Sequence, residues 1–142
     1  MNPESIALQG MAPLFQVFDM PTAIKFYTEV IGFEVVSTST PQGEHFDWAL
    51  LRRNEIEVML NTGYEQDQRP SSPDLTRIAA HEDTSLYFGC PDVDAWYAFL
   101  LTKGIAVEKP IITGYGWKAL YVKDPDGYLL CFHWPLKESL AQ

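Results

Sequence analysis

Hydrophobic and polar positions run along the chain in one order and then in that order again. Ala12-Pro-Leu-Phe-Gln-Val-Phe-Asp19 sits 73 positions before Ser85-Leu-Tyr-Phe-Gly-Cys-Pro-Asp92. Each is an apolar run closing on an Asp, and each is followed by a helical pattern that ends in glycine, Gly32 and Gly104. Beyond those glycines the offset becomes 72, because the second helix is one residue shorter, and Ile56-Glu-Val-Met-Leu60 falls on Tyr128-Leu-Leu-Cys-Phe132. Two similar half-sheets can close around one concave site, so the repeat singles out the residues that would line it.

The pattern predicts the elements of each copy. In the first, a strand over 14–18 leads to Asp19, which can cap a helix over 20–31 with Pro21 tolerated in its first turn. Ala23, Phe26, Tyr27 and Val30 form its apolar stripe, and Gly32 ends it. Alternation predicts strands over 33–40, 46–52 and 55–61, with Arg53-Asn54 as a two-residue hairpin turn. In the second, a strand over 84–90 precedes a helix over 93–103 capped by Asp92, and strands follow near 106–112, 117–123 and 128–134. Asp124-Pro-Asp-Gly127 is a turn in which Pro suits the second position and Gly supplies positive φ at the fourth. Residues 1–11 read as a loosely attached arm. The stretch 63–83, rich in Gln, Pro, Ser and Asp, reads as a connection, either a lid or a plain linker, with a short helical turn at 75–80. The fold class is α+β: two βαβββ modules in tandem, about 12–62 and 84–135, forming a curved mixed sheet around a cavity within one domain over 1–142.

Hairpin pairing assigns faces, because directly paired residues point to the same side. Pairing Arg52 with Glu55 sets Met59 opposite Trp48. Pairing Asp124 with Tyr128 sets Cys131 opposite Tyr121 and His133 opposite Ala119. One face then carries Ile56, Val58, Leu60, Leu120, Leu130 and Phe132, as expected where helices pack. The other carries Trp48, Met59, Asn61, Trp117, Tyr121, Cys131 and His133, joined by Gln16 and Tyr87 from the first strands. Aromatic walls with a few polar tips suit a ligand cavity; the alternative is two half-sheets meeting face to face and filling the space.

Composition narrows the partners. Nineteen acidic against ten basic residues argue against nucleic acid, since phosphate binding needs clustered Lys and Arg; the acidity suits a cationic small molecule or simply solubility. No apolar run is long enough to span a membrane, so the cytoplasm is the expected location. The two cysteines, Cys90 and Cys131, fall on opposite faces and read as free thiols.

Two motifs carry a family resemblance: Ala23-Ile-Lys-Phe-Tyr-Thr-Glu-Val-Ile-Gly-Phe33, and Gly116-Trp-Lys-Ala-Leu-Tyr-Val-Lys-Asp-Pro-Asp-Gly-Tyr128. Together with the repeat they resemble the vicinal oxygen chelate superfamily of glyoxalases, bleomycin-resistance proteins and dioxygenases. In its metal-dependent members each half supplies two ligands, usually His, Glu or Gln. The matching positions here are Ala12, Met59, Ser85 and Cys131, which offer no such set; His45 and His81 read as solvated loop residues. The chain is therefore similar to the metal-free, bleomycin-resistance-like branch, which implies an acidic cytoplasmic homodimer that binds a drug in an aromatic groove without a cofactor. Gly114-Tyr-Gly-Trp117 resembles that branch's aromatic–glycine loop and adds Tyr115 to the ligand-binding candidates. The resemblance also leaves open a lyase, isomerase or dioxygenase with a displaced metal site, with His133 or Cys131 as catalytic candidate, and a dimerisation module with a vestigial cavity.

Overall fold

A computed structural model describes residues 2–40, 43, 45–64 and 66–137; the last five positions of the expected domain lie outside the described residues. The chain forms two compact units, Met1–Arg69 and Pro70–Gln142. Each is a βαβββ module with its own four-stranded mixed sheet. No helix among the described residues is long and apolar enough to cross a membrane.

In the first unit, residues 2–11 are exposed throughout, with one 3-10 turn at Pro3–Ser5. Strand β1 (Leu14–Gln16) leads to helix α1 (Met20–Lys25), which widens into a π-helical turn over Phe26–Val30. Strands β2 (Glu34–Thr38), β3 (Trp48–Arg53) and β4 (Ile56–Asn61) follow, and the sheet order is β1-β4-β3-β2 with β1 parallel to β4. The π turn, closed by Ile31 N–H donating to the Phe26 carbonyl at 3.1 Å, explains the change of repeat offset. The extra residue is absorbed as a bulge inside the helix. It also moves the apolar face on by one position: Ala23, Phe26 and Tyr27 are buried as expected, but Ile31 rather than Val30 continues the stripe into the core. Gly32 then ends the helix at φ +89°.

The expected cap at Asp19 is not made. Pro21 has no N–H to offer in the first turn, and the carboxylate instead accepts from the Thr22 hydroxyl at 2.7 Å and meets Arg69 Nη1 at 3.4 Å. The first hairpin also turns later than expected. Asn54 takes a left-handed conformation, φ +54°, which Asn tolerates better than most residues, so Arg53 pairs with Ile56 and Trp48 with Asn61. Each partner thus lies two residues from its expected place, and an even shift keeps every side chain on its assigned face. A bulge at Val36 interrupts the β2–β3 register.

In the second unit, helix α2 (Leu75–His81) precedes strand β5 (Ser85–Gly89), helix α3 (Val93–Thr102) and strands β6 (Ile111–Ile112), β7 (Trp117–Lys123) and β8 (Leu129–Pro135), in sheet order β5-β8-β7-β6. Asp92 caps α3, its Oδ1 accepting from Ala95 N–H at 3.0 Å. Asp74 caps α2 in the same way. The β7–β8 register is the expected one, with Tyr121 opposite Cys131 and Ala119 opposite His133. At its turn, buried Asp124 Oδ1 accepts from the N–H groups of Asp126 and Tyr128, each at 2.9 Å.

The helix-facing sides form the cores. Val58, Leu60, Leu120, Leu130 and Phe132 are buried, while Ile56, at the hairpin end, stays exposed.

Candidate functional site

The opposite sides of the two sheets carry the candidate ligand-binding residues. In the first unit, parallel pairing of Gln16 with Asn61 and antiparallel pairing of Asn61 with Trp48 place the three abreast. Asn61 Nδ2 donates to Gln16 Oε1 at 3.1 Å, so the two polar tips satisfy each other. Met59 lies beside Leu14 and Leu50 in the next rank, two apolar neighbours absent from the sequence-based assignment. Trp48, Met59, Asn61 and Gln16 are all half-buried.

The second unit gathers an aromatic cluster. The His133 ring stacks on Trp117, with centroids 4.4 Å apart, and meets Tyr87 edge-on at 4.9 Å. Its Nδ1 is buried without a hydrogen bond. Tyr121 pairs with Cys131, which pairs in turn with Tyr87. Tyr121 and Tyr87 thus flank Cys131 on the two neighbouring strands. Tyr115 projects from the turn at 113–117 and is 63% exposed; Tyr87 is 53% exposed. Strand β6 adds Ile111, paired with Ala119 and half-exposed. Only the β6–β7 pairing reveals it, because the stretch before it lacks strict alternation.

Burial sets the chemistry of these groups. Desolvation pushes the Tyr121 phenol up to about 12, with the nearby Cys131, Tyr87 and Tyr115 adding to the effect. Desolvation likewise raises the Cys131 thiol to about 11, partly offset by its hydrogen bond to Tyr121. Both stay protonated at neutral pH, so the face presents neutral donors and ring surfaces. Cys131, 0% exposed, is thereby a small buried hydrophobe rather than a nucleophile. Half-exposed Cys90 has its thiol 3.6 Å from the Asp92 carbonyl. A thiol reagent at pH 7.5 is thus expected to label Cys90 alone in the native protein and both cysteines after unfolding. Rapid native modification of Cys131, read by mass spectrometry of its peptide, would contradict this account.

The positions matching the superfamily's metal ligands do not compose a donor set. Ala12 has no donor atom, Met59 offers a thioether in an apolar row, Ser85 is an exposed hydroxyl beside Leu129, and Cys131 is a protonated thiol. A divalent cation needs converging anionic oxygens, imidazoles or thiolates, deprotonated before they bind. Among the described residues no group of three His, Cys, Asp or Glu is placed to hold a metal ion. His45 is exposed, as expected. His81 is not a solvated loop residue: it closes α2, stacks on Tyr128 at 4.1 Å, and its Nδ1 lies 2.6 Å from the Asp126 carbonyl oxygen. The DPDG turn, 45 positions away, draws it in.

Tandem βαβββ units, each with helices on one side of its sheet and an open mixed aromatic and polar side, define the class as a repeat-built α+β protein. The sequence profile of the Glyoxalase/Bleomycin resistance protein/Dioxygenase superfamily matches residues 11–132, and the chain belongs to that superfamily. No curated protein sequence matches it significantly. Among solved structures, TioX from Micromonospora sp. ML1 is similar at 19% identity and a TM-score of 0.69, over 90% of this chain and 99% of that one. TnmS3, an antibiotic binding protein from Streptomyces sp. CB03234, is 24% identical with a TM-score of 0.62, over 92% and 100%. A glyoxalase/bleomycin resistance protein from the same Streptomyces is 25% identical with a TM-score of 0.57, over 87% and 100%. At these identities the likeness is one of fold.

Proposed function

We propose that the protein binds and sequesters a flat aromatic small molecule, of neutral or cationic character, on the open side of its sheets and without a metal. The carrying observation is the cluster of Trp117, His133 and Tyr87, extended by exposed Tyr115. Trp117, His133 and Tyr87 share one sheet face with Tyr115 on the adjoining turn, and half-exposed rings of this kind offer stacking surface to a planar ligand. The antibiotic-binding and bleomycin-resistance relatives among the fold neighbours support the same reading. The poor donor set at Ala12, Met59, Ser85 and Cys131 supports the metal-free part of this reading. The net charge of −9 favours cationic over anionic ligands at long range. In this reading the protein works in the cytoplasm as a homodimer.

Titrating a panel of aromatic and glycopeptide antibiotics against the apo protein, followed by Trp fluorescence, tests the proposal. At least one compound is expected to bind saturably, with no change on adding a chelator. Trp117→Ala is expected to weaken it about tenfold or more, because one stacked ring contributes roughly 1–2 kcal/mol. Sedimentation of the same complex is expected to give two chains. Silence across the panel, or chelator-sensitive binding, would overturn the proposal, and a monomeric species its dimer clause.

A further inference from the structure

The first unit also holds a concave surface at the end of its sheet, just beyond Trp48 and Asn61. A cleft of about 550 Å³ opens between the start of α1, the β2–β3 connection and the chain after β4. Met20, Phe46 and Tyr64 supply its apolar walls, and Asp47, Asp67 and Arg69 its charges. The walls are fixed from behind. The Tyr64 ring stands edge-on to Phe18 with centroids 5.5 Å apart, and the buried Thr62 hydroxyl donates to the Phe18 carbonyl while accepting from Tyr64 N–H.

The charges do not cancel. Arg69 is engaged by Asp19 at 3.4 Å. Asp47 and Asp67 are exposed, and neither takes part in an ion pair among the described residues. The cleft therefore presents two unmatched carboxylates beside two aromatic rings. An anion would meet two carboxylates there with only the Asp19-engaged Arg69 set against them, whereas a cation gains charge-assisted hydrogen bonds from the carboxylates and attraction from the ring faces.

We propose that this cleft is a distinct binding site for a small organic cation with a flat apolar body, its charge held by Asp47 and Asp67 and its body between Phe46 and Tyr64. Every residue that lines it belongs to the first unit, so it is tested separately from the aromatic face of the second.

Three isosteric probes isolate the charge: benzamidine as cation, benzamide as neutral and benzoate as anion, each titrated into isotopically labelled protein by two-dimensional NMR. Benzamidine is expected to move the amide signals of Phe46, Asp47, Thr62 and Tyr64 saturably, and to bind more weakly as salt rises. Benzamide is expected to bind about tenfold more weakly, and benzoate not at all. The double variant Asp47→Asn/Asp67→Asn should lose about tenfold in benzamidine affinity. It should keep its fold, because Asp47 serves the structure through its backbone, donating to Ser39 Oγ at 3.1 Å and accepting from Thr62 N–H at 2.8 Å. Equal binding of benzamide and benzamidine, undiminished affinity in the double variant, or shifts confined to Tyr87, Trp117 and His133 would each overturn the proposal. The last pattern would leave the aromatic face of the second unit as the cation's site.

Discussion

Gly127→Ala is expected to lower the melting temperature by about 10 °C. Two costs coincide at that position. Gly127 sits at φ +88°, where an L-residue pays roughly 1–2 kcal/mol. A Cβ there would also stand 2.4 Å from the Ile78 carbonyl oxygen and 2.8 Å from Ile78 Cγ2. The first of these is backbone, so relief requires α2 to move off the DPDG turn, which adds about 1–3 kcal/mol. A total of about 3 kcal/mol converts to roughly 10 °C in a domain of this size. Gly104→Ala separates the two costs, since Gly104 has φ +72° but nothing within 4 Å of an added Cβ; about 4 °C is expected there. Equal losses at the two glycines, measured by thermal unfolding, would show that the close approach of α2 contributes nothing.

The position of Gly127 illustrates what the sequence makes legible. The DPDG turn, its positive φ and the register it imposes on β7 and β8 are local, and all are readable from the residue types. The packing of Ile78 on that turn joins residues 49 positions apart in a stretch without strong periodicity, and no local pattern encodes it. The packing of His81 escapes local pattern for the same reason, because it depends on Tyr128 and Asp126. In the first hairpin the turn falls at Asn54-Glu55 instead of the expected Arg53-Asn54, which moves every partner by two residues and leaves the faces in place. The candidate site follows this division. Which side chains share a sheet face follows from alternation alone, and the structure brings Gln16, Asn61 and Trp48 together, and separately Tyr87, Trp117 and His133. The pairing of Asp19 with Arg69, fifty positions apart, and the cleft beside it depend on tertiary packing. The repeat itself read more simply than it is built. Its one-residue change of offset is the π turn of Phe26–Val30, a helix accommodating an insertion without losing its buried face.

Tyr27→Ala is expected to destabilise the protein by about 4 kcal/mol, a large part of the stability of a domain this size. Tyr27 lies within the π turn and is 0% exposed. Its ring meets Phe26 edge-on at 5.2 Å and Phe33 at 6.2 Å, and it tilts against Phe15 at 6.1 Å. Truncation leaves a ring-sized cavity that β1, α1 and the segment entering β2 cannot all close on, and removes three aromatic contacts of roughly 0.5–1.5 kcal/mol each. The backbone is engaged at the same residue, since Phe33 N–H donates to the Tyr27 carbonyl at 2.8 Å. That bond survives substitution, so the loss belongs to the ring. Tyr27→Phe keeps the ring and is expected to cost no more than about 1 kcal/mol for the hydroxyl. Urea unfolding of both variants measures the difference. A loss below about 1.5 kcal/mol for the alanine variant would mean that the core of the first unit repacks freely. In that case the π turn would owe its position to backbone hydrogen bonding rather than to the ring it buries.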